Sequence, residues 1–346
     1  SGMLPTIVSS VAGGLCLSLS CHAHRRYLGR SVSIWKTLRS GFIPSQDADY
    51  RSEPQPTYTI SHIGRHMSFA SGMLLSGFSL FDFSFGEIGL ALSGNLHPVP
   101  TTIATGGFLI GVGYQLGRGT GLGANALGQR SYRKAGLAAA TAVGTACLAQ
   151  SVPAMLYMDS AIAKYSLDAD IVADGPSMLA FTAAGLLFLS VKGQLAQRLS
   201  LRPVAVSFAS GAGIGLGTGL IGLCSSDKVL SLLGLTANAD PTLILGLGVA
   251  AICNRFLDSR LAPSALPDPD RNKSSAISSV VGPGLLGVGV GLTGMMPVSS
   301  LVGLCSGATS FYLCSLSMMT GTAFVYGSRS LYAYFYPGKS PALPSS

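Results

Sequence analysis

Sulfur and a few isolated charges are the reactive material of this chain. Its seven cysteines are Cys16, Cys21, Cys147, Cys224, Cys253, Cys305 and Cys314, and no two of them form a CxxC pair. Most lie in apolar runs, where a free thiol behaves as a small hydrophobe, so a disulfide framework is not expected. Cys21, His22 and His24 are metal-ligand types, but their spacing is too tight for a tetrahedral site and no second cluster accompanies them, so no metal is expected there. His62 and His66 stand four apart beside Arg65 and read as interfacial anchors. Asp82 and Glu87 lie in or beside an apolar segment, where a carboxylate is costly and marks a pathway, an ion pair or a subunit contact. Arg118, in the stretch GRGT, is the natural counterpart of Glu87; a structural ion pair and an anion-binding role both fit it. Nothing resembles a nucleophile triad, a P-loop or a paired-carboxylate hydrolase. Neither enzyme activity nor a cofactor is expected.

The elements that must position these residues are hydrophobic helices. Of the 346 residues, 48% are hydrophobic and only 10% charged, with 45 glycines, whereas soluble domains carry about a quarter charged residues. Candidate spans fall at 4–20, 67–83, 101–116, 136–158, 178–191, 204–223, 242–252, 277–293 and 309–326. The expected fold class is all-α, a polytopic membrane protein of about 8–9 transmembrane helices with internal repeats and short re-entrant segments. The net charge of +8 resides in short basic stretches between apolar runs, which set topology and touch anionic headgroups rather than nucleic acid. Four basic clusters, around Arg25, Arg133, Arg198 and Arg260, are expected on one side of the membrane. The acidic connection carrying Asp159, Asp168, Asp170 and Asp174 is expected on the other.

Four regions follow. Residues 1–61 hold a candidate helix and an interfacial basic, proline-rich extension; 62–202 and 203–327 form two transporter-like halves; 328–346 form an interfacial aromatic tail around Tyr332, Tyr334, Phe335 and Tyr336. The chain starts at Ser1 rather than Met, as a processed chain or one with a short added remnant would.

Three spans end in one glycine pattern. GVGYQLGRGT carries Gly111, Gly113, Leu116 and Thr120; GLGTGLIGLC carries Gly215, Gly217, Leu220 and Cys224; GVGVGLTGMM carries Gly287, Gly289, Leu292 and Met296. Small-xxx-small pairs beside them let helix backbones approach closely in lipid. Repeated, interrupted helices are also the architecture of many transporters, with the substrate site where the broken segments meet. A dinucleotide fingerprint is excluded, because these glycines sit within apolar helices and not between a strand and a helix.

The stretches GGFLIGVGYQLGRGTGLGANALG, SGAGIGLGTGLIGLCSSDKVLSLLGL with ADPTLILG, and GPGLLGVGVGLTGMMPVSSLVGL, together with the fainter GEIGLALSGNL, resemble the YeeE/YedE family of membrane proteins. That resemblance implies a fold with an hourglass-shaped core through which thiosulfate-like sulfur compounds are relayed by cysteines. Thr120, Leu127 and Met296 stand where the family carries thiols, and none of the three side chains can form a thiolate or persulfide. Cys224 is a thiol where the family has a hydroxyl residue, with Cys305 as the other nearby candidate. The linker at His97, Pro98 and Pro100 also takes the place of a further family span.

Two functions are therefore in view. One is a transport-inactive structural or accessory subunit of a larger membrane complex, expected in the mitochondrial inner membrane, with lipids and other subunits as partners. The other is a working transporter of thiosulfate or another small anion, there or in a bacterial plasma membrane. Its path would be lined by Glu87, Arg118, Thr120, Cys224 and Met296.

Overall fold

Glycine-rich apolar stretches without charge on either face can only be stable as helices packed on one another or on lipid, and helices are what form. The computed structural model describes residues 3–28, 55–83, 100–117, 132–151, 175–196, 198, 200–234, 240–261, 280–306 and 309–335. Among them the chain is entirely helical: α1 (Met3–Leu28), α2 (Gln55–Phe83), α3 (Pro100–Leu116), α4 (Tyr132–Ser151), α5 (Gly175–Ala196), α6 (Arg202–Ile221), α7 (Ser226–Leu233), α8 (Pro241–Leu261), α9 (Gly282–Thr293), α10 (Pro297–Gly303) and α11 (Thr309–Phe335). A single 3-10 turn, Leu304–Ser306, follows α10.

Among the described residues, three helices are long and apolar enough to cross a membrane, namely Thr6–Leu28, Leu179–Ala196 and Arg202–Ile221. The pair α9 and α10, bent by 42°, makes a fourth if it is one span. The first candidate span of the sequence is thus a full-length apolar helix. Large apolar side chains point outward on several helices, including Phe181 and Phe188 on α5, Ile252 on α8 and Phe324 on α11. An aqueous surface would leave such a belt unfavourably hydrated, whereas lipid solvates it. The chain is an integral membrane protein.

The helices form two rows. In one, α6 lies between α1 and α2, with α8 outside α1 and α5 outside α2; in the other, α9 lies between α3 and α4, with α11 outside α3. Neighbouring backbones touch through glycine. A methyl added at Gly13 would lie 2.9 Å from the Gly217 carbonyl oxygen, and one at Gly106 would lie 3.0 Å from that of Gly289. The next glycine in each pair faces the outer helix: Gly14 meets Val249 and Ala250 on α8, and Gly107 meets Cys314 and Ser317 on α11. The GG pairs of α1 and α3 are therefore equivalent, each wedging one helix between a central helix and an outer one. Such close approach gains dispersion contact where no hydrophobic force acts between helices.

Hydroxyls and thiols fasten the same crossings. The Thr145 hydroxyl donates to the Gly284 carbonyl at 3.0 Å, joining α4 to α9, and the Cys16 thiol donates to the Gly213 carbonyl at 3.3 Å, joining α1 to α6. Along the first row α1 runs antiparallel to α6, so Tyr27, near the end of α1, meets Arg202 at the start of α6, with the guanidinium 5.0 Å from the ring centre. Arg25 and Arg26 in the last turn of α1 thus stand at the end where Arg202 opens α6.

The glycine patterns divide differently from their appearance in sequence. Those of α6 and α9 occupy equivalent central helices, while that of α3 belongs to the helix that packs against α9. Two expected boundaries also shift. The proline-bearing stretch from Gln55 is the start of α2, and the aromatic run through Phe335 continues α11.

Candidate functional site

Each central helix ends at a glycine in the left-handed region, which a side chain would strain. Gly222 has φ 90° and Gly294 has φ 68°. Both caps follow from local hydrogen bonds: the Gly222 and Leu223 amides donate to the Gly219 and Thr218 carbonyls at 2.9 and 3.1 Å, and the Gly294 amide donates to Val290 at 2.7 Å. A short helix starts a few residues later in each case, α7 after the first break and α10 after the second.

The short helices cross over. Helix α7, which continues the first row, packs on α4 and α9 of the second; α10, which continues the second row, packs on α2 and α6 of the first. The Gly294 turn sits directly against Ser226 and Leu230 of α7. Leu223, Cys224, Met295, Met296, Val298 and Val302 consequently belong to one continuous buried cluster. The interrupted segments do meet, as the repeat suggested, and the two rows are joined mainly through them.

Sulfur is concentrated where they meet. Cys224 and Met296 are the equivalent residues of the two breaks, and both are buried. Cys305, on the turn after α10, donates its thiol hydrogen to the Leu74 carbonyl at 3.0 Å. All described cysteines are free thiols, and among apolar side chains such thiols are inert rather than nucleophilic.

The two breaks differ in what covers them. Residues 293–300 are all buried, and their polar groups are turned on one another. The Met295 amide donates to the Thr293 hydroxyl oxygen at 3.1 Å, the Met296 amide to that of Ser299 at 2.9 Å, and the Ser300 hydroxyl to the Pro297 carbonyl at 3.1 Å. At the first break Gly222, Ser225, Ser226 and Lys228 are only half-buried. There Lys228 folds back across the Gly222 turn and places its ammonium 3.1 Å from the Asp240 carboxylate. Asp240 is itself held by the Thr242 amide at 3.0 Å and the Thr242 hydroxyl at 2.6 Å. Burial raises the Asp240 carboxyl, but the hydrogen bonds from Thr242 and the nearby Lys228 outweigh it and hold the group below the ordinary carboxylate range.

No protein family, curated protein or solved structure matches this chain.

The site is thus defined by its own geometry. Of the residues singled out in the sequence, Cys224 and Met296 are brought into one cluster. Glu87, Arg118 and Thr120 lie outside the described residues, as does Leu127. No group of three or more metal-ligating side chains is present among the described residues. Sequence reasoning overlooked Lys228 and Asp240. Their signal was a lysine within the short amphipathic segment SDKVLSLL and an aspartate a few residues after it, in a stretch otherwise poor in charge.

Proposed function

We propose that this chain is a transport-inactive protein of the YeeE/YedE type, with eight or nine spans, serving as a structural or accessory subunit of a larger membrane complex. The second break carries this reading. Where the resemblance places a relay thiol, a Met296 thioether sits in a turn whose polar groups are satisfied internally, and a thioether cannot carry a sulfane sulfur as a persulfide. The polar stretches of sequence between α1 and α2 and after α11 are the proposed segments for contact with partner subunits. The arginine-bearing N-terminal region supports a place in the mitochondrial inner membrane. Lipid and protein are the partners, with no nucleic acid and no catalytic role.

Uptake of labelled thiosulfate into proteoliposomes tests the proposal. Flux equal to that of empty vesicles, with stoichiometric co-purification of respiratory or ATP-synthase subunits from native membranes, is the expected outcome. Robust flux abolished by Cys224→Ala would overturn it. One observation favours that second reading, of a small-anion carrier: Cys224 and Cys305, just after the first and second breaks, are both buried free thiols.

A further inference from the structure

The two breaks are built to the same plan, but only one has a cover that can be removed. At the second break Ser300 stands where Lys228 stands at the first; it is buried and neutral, and its carbonyl accepts from the Ser315 hydroxyl at 3.4 Å. Nothing there moves without opening the core. At the first break the cover is a flexible side chain. The Lys228 Cδ lies 3.4 Å, and its Nζ 3.7 Å, from where a Cβ on Gly222 would be. The Lys228 side chain is 40% exposed, and that of its partner Asp240 is 23% exposed.

The cover has a fixed anchor. Thr242 grips Asp240 through its amide and hydroxyl, and the Thr242 carbonyl in turn accepts from the Ser10 hydroxyl of α1. A line of contacts therefore runs from α1 through the start of α8 to the ammonium and across the Gly222 turn, two residues before Cys224. Releasing the ion pair frees a four-carbon side chain from the turn and leaves the remaining contacts of α8 in place.

We propose that the Lys228–Asp240 pair is a releasable strap over the first break, holding Cys224 away from water until the pair opens. The strap operates whether or not anything crosses the membrane, so it stands independently of the transport question. A partly exposed pair of this kind is worth up to about 1 kcal/mol, which corresponds to roughly a fivefold change in the open population.

The test is labelling of the protein in vesicles by uncharged N-ethylmaleimide, with the label located by peptide mass spectrometry at Cys224 and, as an internal control, at the fully buried Cys314. Asp240→Asn, which keeps an acceptor for Thr242 but removes the charge, is expected to raise the Cys224 rate about fivefold and leave Cys314 unlabelled. Should the variant label Cys314 as well, it has lost its fold, and the unaltered protein decides instead. Raising salt toward 1 M shortens the screening length to about 3 Å and is expected to speed labelling at Cys224 alone. A Cys224 rate that is unchanged in the folded variant, or unchanged by salt in the unaltered protein, overturns the strap.

Discussion

The break after α6 and the break after α9 begin from nearly the same sequence and end in opposite conditions. Both need a left-handed glycine, both feed a short helix into the opposite row, and both put a sulfur-bearing residue at the equivalent place. Yet the first is half-open and fastened by charge, while the second is closed and fastened by serine and threonine. The difference shows that a repeated fold fixes where a helix must break, and that the residues just after the break decide whether it can open again. In lipid this matters more than in water, because a backbone group freed from its helix has no solvent to bond with.

Two pairs of substitutions sharpen the contrast. The largest effect is expected where central helices touch: Gly217→Leu would drive a side chain into the Gly13 carbonyl oxygen, 2.8 Å from the first added carbon. Overpacking of this kind costs about 1–3 kcal/mol or more. Gly248→Leu on α8, where a Cβ meets nothing within 4 Å, is the control and should shift stability by less than about 0.5 kcal/mol. Thermal unfolding in detergent, followed by the fraction that stays monodisperse, separates the two. Equal losses would mean that the rows do not pack as described.

Next is Gly294→Ala. Left-handed backbone costs a non-glycine residue about 1–2 kcal/mol, and here the methyl would also lie 2.6 Å from the Ser226 carbonyl oxygen and 2.7 Å from Leu230. Gly222→Ala carries the conformational cost alone, since its nearest contact, Lys228, is at 3.4 Å. The same unfolding assay should therefore rank Gly294→Ala as the more damaging of the pair. The reverse ranking would contradict the assignment of the second break as the closed one.

Much of this was legible in the residues, for identifiable reasons. Apolar length and scarce charge gave the helical, membrane-embedded class, and α6 lies within two residues of its expected bounds because Arg202 and the glycine after Ile221 mark both ends chemically. The equivalent places of Cys224 and Met296 at the two breaks followed from aligning two glycine patterns. What could not be read was pairing: the GG of α1 and the GG of α3 look unrelated until their neighbours are known, since a two-residue motif carries no register. The third glycine pattern misled for the same reason, because α3 shares the composition of α9 through being its partner. The Lys228–Asp240 pair was hidden by distance along the chain, and no local periodicity joins a lysine on α7 to an aspartate before α8.

The crossing of the short helices, on which the contrast between the breaks depends, can be tested with one substitution. A Cβ at position 77 of α2 would lie 3.3 Å from the Cβ of the native Cys305 beyond α10 and 2.6 Å from the Val302 carbonyl oxygen, so the backbones must part by a few tenths of an ångström, toward the separation of about 3.5–4.5 Å found in disulfides. Mild oxidation of the Gly77→Cys variant in native membranes should give an intramolecular disulfide between position 77 and Cys305, identified by mass spectrometry of the linked peptides. A membrane-inserted variant whose Cys305 stays free, or links elsewhere, would show that the second row does not reach into the first.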